Sequence, residues 1–140
     1  MSQITNPNQE KIAEILKASK TIAVVGLSDN PSRTSYQVSK VMQQSGYSII
    51  PVNPNVSEVL GINAVPSLKD IETPVDIVDV FRRSEHLPAI AKEAADMDIT
   101  PNVFWTQLGL ENEEAFRIAE NEGMIVIMNK CIKVEHSMIK

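Results

Sequence analysis

A single cysteine, Cys131, stands among 140 residues. One thiol closes no internal disulfide, and this usage fits a reducing compartment, so a cytoplasmic protein is expected. No apolar stretch approaches the roughly 20 residues of a membrane-spanning helix. The segment from Met1 to Asn8 lacks the basic start and apolar run of a secretory leader. Positive charge is also scarce. Thirteen Lys and Arg against eighteen Asp and Glu leave a net charge of -5, which excludes generic binding to nucleic acid or an anionic membrane. The two histidines, His86 and His136, have no metal-like spacing to another ligand, and no metal is expected.

Two nucleotide motifs are missing as well. Of the three glycines of the dinucleotide fingerprint only Gly26 is present, and Val52-Asn53 offers no carboxylate to a ribose diol. No Gly-Lys-Ser/Thr occurs, so there is no P-loop. No recognisable set of nucleophile, base and orienting acid appears, and a non-catalytic role is expected.

What remains is enough for a core: 43% hydrophobic and 22% charged residues, without a repeat or a dividing linker. A first helix is expected from an Asn6 cap, with Pro7 at its first position and Ile12, Ile15 and Leu16 as its stripe. Residues 1–19 then form a tail and helix packed on a domain of residues 20–140. The run from Thr21 to Gly26 is apolar and β-branched, as in a strand buried on both faces. A polar turn over 27–32 leads into a helix ending at Ser45, with Gly46 as its terminal cap. Further strands are expected at Tyr47 to Val52, 62–65, Asp76 to Phe81, Asn102 to Trp105 and Met124 to Met128. Ser84 is expected to cap a helix with Leu87, Ile90, Ala91 and Ala94 inward, and another helix covers about 112–122.

Strands alternating with helices imply an α/β three-layer sandwich of the Rossmann type, with a mostly parallel sheet of five or six strands. Ligands of such sheets lie beyond the carboxyl ends of the strands. The turn Gly26-Leu27-Ser28-Asp29-Asn30-Pro31-Ser32-Arg33-Thr34-Ser35 stands at the first of these ends. Backbone amides at the following helix, the serine hydroxyls and the Arg33 fork together suit a phosphate. Arg33, Arg82 and Arg83 all fall at predicted strand ends, although the last two could simply solvate a loop. Trp105 is read either as a core aromatic or as a flat wall for an apolar ligand arm, with Gln107 and Gly109 beside it. Cys131 follows the last strand and emerges on the same edge. In the strand order 3-2-1-4-5-6 it would stand three strands, roughly 14 Å, from the first turn.

Five segments in order, VVGLSDNPSRTSYQV (24–38), GYSIIPVNP (46–54), DVFRRS (79–84), FWTQLG (104–109) and NKCIKVEH (129–136), resemble the stand-alone CoA-binding proteins. These are small relatives of the CoA-binding domain of succinyl-CoA synthetase. The resemblance implies coenzyme A, free or acylated, at the strand edge. Gly26, Ser28, Arg33 and Ser35 would hold the nucleotide phosphates, and Leu27 and Tyr36 belong to the same expected site. Val52, Asn53 and Pro54 would border the adenosine, and Val80, Phe81 and Arg82 the middle of the site. Trp105, Gln107 and Cys131 would lie toward the pantetheine. The chain departs from the family where Asn129-Lys130-Cys131 replaces the usual Asp-Arg-Cys. A binding module for CoA or acyl-CoA is the leading reading, and a homodimer stays open. The alternatives are a small NAD(P)-dependent oxidoreductase, a subunit of an acyl-CoA-using enzyme, and an interaction module with a vestigial site.

Overall fold

The computed structural model describes residues 4–139. Five apolar strands form one parallel sheet: β1 (Thr21–Val25), β2 (Ser48–Val52) and three more that follow a short hairpin in the chain. The hairpin is β3 (Glu58–Val59) with β4 (Ile62–Asn63); the remaining strands are β5 (Ile77–Val80), β6 (Val103–Thr106) and β7 (Ile125–Ile127). The sheet order is β2-β1-β5-β6-β7. In register, Val25 faces Val52 on one side and Val80 on the other, so three strand ends line up in one row.

Residues 62–65 therefore do not add a full sixth strand. They pair with β3, and only Val65 reaches the main sheet, through one bridge to Val52. Pro66 follows at once and has no N–H to extend a ladder.

Alternation along the strands sorts the core into two layers. Ala23, Val25, Val78, Val80, Phe104 and Val126 face the helices over Leu87–Ala95 and Glu113–Asn121, while Ile22, Val24, Ile77, Trp105 and Ile127 face the opposite side. The second side is covered by α1 (Gln9–Ala18), α2 (Thr34–Gln44) and a late helix over 132–137. The first is covered by α3 (Leu87–Ala95) and α4 (Glu113–Asn121). The late helix, α5 (Ile132–Ser137), has only six residues and buries Ile132, too short a pattern to read from spacing. Each fully buried apolar side chain of this kind contributes about 1.5–3 kcal/mol.

Two helix starts differ from expectation. Asn8, not Asn6, caps α1, its side-chain oxygen accepting from the Lys11 amide at 2.9 Å. Asn6 is engaged elsewhere. Its Nδ2 donates to the Met128 carbonyl at 2.9 Å, and its Oδ1 accepts from the Met128 amide at 2.8 Å. Ser84 does not cap α3 either. It begins a 3-10 turn over Ser84–His86, and its hydroxyl accepts from the Glu111 amide at 3.1 Å.

Candidate functional site

Gly26 ends β1 with φ of +86°, a left-handed conformation. A Cβ there would lie 2.6 Å from the Phe81 carbonyl oxygen. Glycine thus lets the chain leaving β5 pass directly over the first turn. The Gly26 amide donates to the Val52 carbonyl at 2.8 Å, which fastens the turn to β2.

The rest of the turn is held by its own polar groups. The Ser28 amide donates to the Ser35 hydroxyl at 3.0 Å, and the Asn30 amide to the Ser28 hydroxyl at 3.0 Å. Ser32 donates from its hydroxyl to Asn30 Oδ1 at 2.8 Å. Asn53 Nδ2 donates to the Leu27 carbonyl at 3.1 Å, tying β2's end to the same loop. The first-turn amides of α2 have no acceptor within the helix. Arg33, at the cap position, makes no side-chain capping bond, and the first turn carries no acidic residue. The exposed Arg33 guanidinium adds charge to that helix start.

This turn opens on a cleft of about 540 Å³, bordered by Gly26, Ser28, Arg33, Thr34, Ser35, Asn53 and Phe81. Thr34 and Phe81 also border a second cleft of about 390 Å³, with Arg82, Arg83, Gln107, Leu108, Leu110 and Cys131. Arg82 links that to a third of about 270 Å³, where Val52, Pro54, Pro66, His86 and Ile90 stand. The three clefts make a continuous groove along the carboxyl ends of β2, β1, β5 and β6.

The groove gathers Gly26, Ser28, Arg33, Ser35, Val52, Asn53, Pro54, Phe81, Arg82, Gln107 and Cys131. It does not gather the side chains of Leu27, Val80 and Trp105, each at 0% exposure. Trp105 is a core residue rather than a ligand wall. It faces the α1, α2 and α5 side, and its Nε1 donates to the Lys130 carbonyl at 2.8 Å, propping the loop that carries Cys131. Tyr36 points the same way and packs, half-buried, on that cluster. Thr34, Arg83, Leu108, Leu110 and His86 also line the groove. The sequence signal for Leu108 was an apolar residue placed between Gln107 and Gly109 in a loop.

Under the groove lies Asp79, 1% exposed. Burial pushes its carboxyl up to about 7, and a hydrogen bond from Gln107 only partly offsets this. Asn129 sits at φ of +60° and joins two loops. Its Oδ1 accepts from the Gly109 amide at 2.6 Å and its Nδ2 donates to Glu111 Oε1 at 3.3 Å. An aspartate here could not donate and would meet Glu111 as a like charge. Among the described residues, no three His, Cys, Asp or Glu side chains cluster as metal ligands, and no helix is long and apolar enough to cross a membrane.

Residues 20–137 match the protein family described as a CoA binding domain. The chain belongs to that family. A similar family protein, the uncharacterized YneT of Bacillus subtilis, is 57% identical over 135 residues, covering 96% of this chain and 98% of its own. The alpha subunit of acetate–CoA ligase (ADP-forming) II from Pyrococcus furiosus is 28% identical over 81% of this chain, which spans only 27% of that subunit. Among solved structures, a hypothetical protein from Pyrococcus horikoshii superposes with a TM-score of 0.90 at 33% identity, covering 99% of both chains. As a CoA binding domain, the chain has the five-stranded parallel α/β architecture of a Rossmann-like fold.

Proposed function

We propose that this protein is a binding module for coenzyme A, without catalysis of its own, in the cytoplasm. The observation that carries the reading is the uncapped start of α2 beside Arg33, facing the largest cleft of a groove that turns apolar beyond Phe81. Helix amides and a guanidinium suit the diphosphate. Val52, Pro54 and Ile90 offer apolar surface to an adenine ring in the third cleft. Phe81 and the second cleft take the pantetheine arm. Family membership over residues 20–137 supports the same ligand. An NAD reading fares worse, because Asn53 at the end of β2 already spends its Nδ2 on Leu27 and brings no carboxylate.

A second reading has a specific basis. Likeness to a subunit of acetate–CoA ligase suits one part of an acyl-CoA-using enzyme, completed by another chain.

Native mass spectrometry of the purified protein tests whether CoA co-purifies. Thermal melts with CoA, NAD, NADP and ATP test the preference, since a ligand of the native state raises the midpoint. CoA is expected to give the largest rise. A larger rise with NAD, or none with CoA, overturns the proposal.

A further inference from the structure

The second cleft differs from the other two in its walls. Thr34, shared with the phosphate cleft, and Gln107 supply polar groups, Phe81, Leu108, Leu110 and Cys131 supply apolar surface, and Arg82 and Arg83 complete the lining. The amides of a pantetheine arm need polar partners, which Thr34 and Gln107 offer. The apolar part of the surface suits hydrocarbon.

Leu108 is the most telling residue. Its side chain is 72% exposed. Isolated exposed leucines are common and need no explanation. This one is held in place from both sides. The Gly109 amide donates to Asn129 Oδ1 at 2.6 Å, the Leu110 amide to the Gln107 carbonyl at 3.0 Å, and the Thr106 hydroxyl to the Leu110 carbonyl at 2.6 Å. A pinned loop thus presents an apolar side chain at the lip of an apolar cleft with no protein group covering most of it. Its volume, about 390 Å³, lies in the range of small-molecule sites.

Arg82 and Arg83 also line the cleft; both are exposed, Arg83 pairs with Glu85 at 3.8 Å, and an acidic acyl chain would meet these two groups first. Gln107 Nε2, which could have served a carboxylate inside, is spent on Asp79.

We infer that the cleft bordered by Leu108, Leu110 and Cys131 receives a short aliphatic acyl group, so that the ligand is an acyl-CoA thioester in preference to free CoA. This rests on the CoA reading above. The thioester enters past Thr34 and Phe81, and the acyl carbons lie against Leu108 and Leu110. Each methylene fully buried strengthens binding up to about fourfold.

Calorimetry with CoA, acetyl-CoA, butyryl-CoA and succinyl-CoA tests the inference. Butyryl-CoA is expected to bind about four- to tenfold more tightly than acetyl-CoA, and acetyl-CoA at least as tightly as CoA. The Leu108→Ser variant is expected to reduce the butyryl-to-acetyl ratio to about twofold or less. Equal affinities across the aliphatic series, or tightest binding of succinyl-CoA, overturn the acyl assignment while leaving the CoA reading in place. A ratio unmoved by Leu108→Ser, with the preference intact, also overturns the role given to this cleft. Absence of binding to every thioester and to CoA removes the underlying reading itself.

Discussion

Gln107, just past the end of β6, donates from Nε2 to Oδ1 of Asp79 on β5 at 2.5 Å, and both side chains are buried. The pair joins a groove-lining residue to an acid beneath the sheet edge. Folding favours the neutral form of that acid, because burial lifts its carboxyl to about 7.

Stability should therefore depend on pH in a defined direction. Below the ordinary carboxylate range both folded and unfolded chains hold the Asp79 proton. Above that range the unfolded chain releases it first, so stability falls as pH rises toward about 7 and then levels off. Urea unfolding between pH 5 and pH 8 measures this slope. Asp79→Asn should flatten it and make the variant the more stable of the two at pH 8. A wild-type curve that instead rises with pH over this window would contradict the assignment.

Arg33→Ala should weaken CoA binding about 10- to 150-fold, the equivalent of roughly 1.5–3 kcal/mol for a charge-assisted bond. The side chain is exposed and makes no capping bond, so the fold should survive. Calorimetry on a variant with unchanged circular dichroism decides the matter. Unchanged affinity would remove Arg33 from the site.

Gly26→Ala should destabilise the fold by more than about 2 kcal/mol. The left-handed backbone alone costs about 1–2 kcal/mol for a residue with a Cβ. The added atom would also press on the Phe81 carbonyl, which is backbone and cannot swing aside. Chemical denaturation of the two proteins gives the difference, and a loss under 1 kcal/mol would mean that the crossing at Phe81 yields easily.

Cys131 should form a mixed disulfide with CoA disulfide faster than with glutathione disulfide. The Cys131 thiolate attacks one sulfur of CoA disulfide, a protein–CoA disulfide forms, and one CoA thiolate leaves. The half-buried thiol borders the cleft assigned to the end of the arm. Binding raises the local concentration of the disulfide there, and exchange follows access as well as thiolate content. Intact-mass kinetics on the wild type, with Cys131→Ser as blank, read the adduct. Equal rates for the two disulfides would leave Cys131 without a role in the groove.

The edge of the sheet was legible because its signals are local. Gly26, the serine-rich turn and Arg33 lie within one strand-loop-helix unit, and strand ends can be located from apolar runs and the prolines or glycines after them. Burial of individual side chains was not local. Trp105 could be placed at the end of a strand, but the face it takes depends on α5, whose six residues give no helical period. The Asn6 cap failed for a similar reason, since Asn8 is an equally good cap and the competing partner of Asn6 lies at Met128. Residues 62–65 had strand composition without the length to hold a place in the sheet. The linked loops at Asn129, Gly109 and Glu111 could not be foreseen, because their bonds cross between separate segments.

The double hydrogen bond between Asn6 and Met128 spans 122 positions. Its acceptor and donor at Met128 come into being only after the residues that separate it from Asn6 have been synthesised. Helix α1 can coil early, but its lead-in cannot be fastened to the far margin of the sheet until then. Closing so long a loop costs little more than closing one half its length, so the delay is one of order and not of energy. The start of the chain is thus secured to the far margin of the sheet only after the segment from Gly26 through Gln107 has been synthesised.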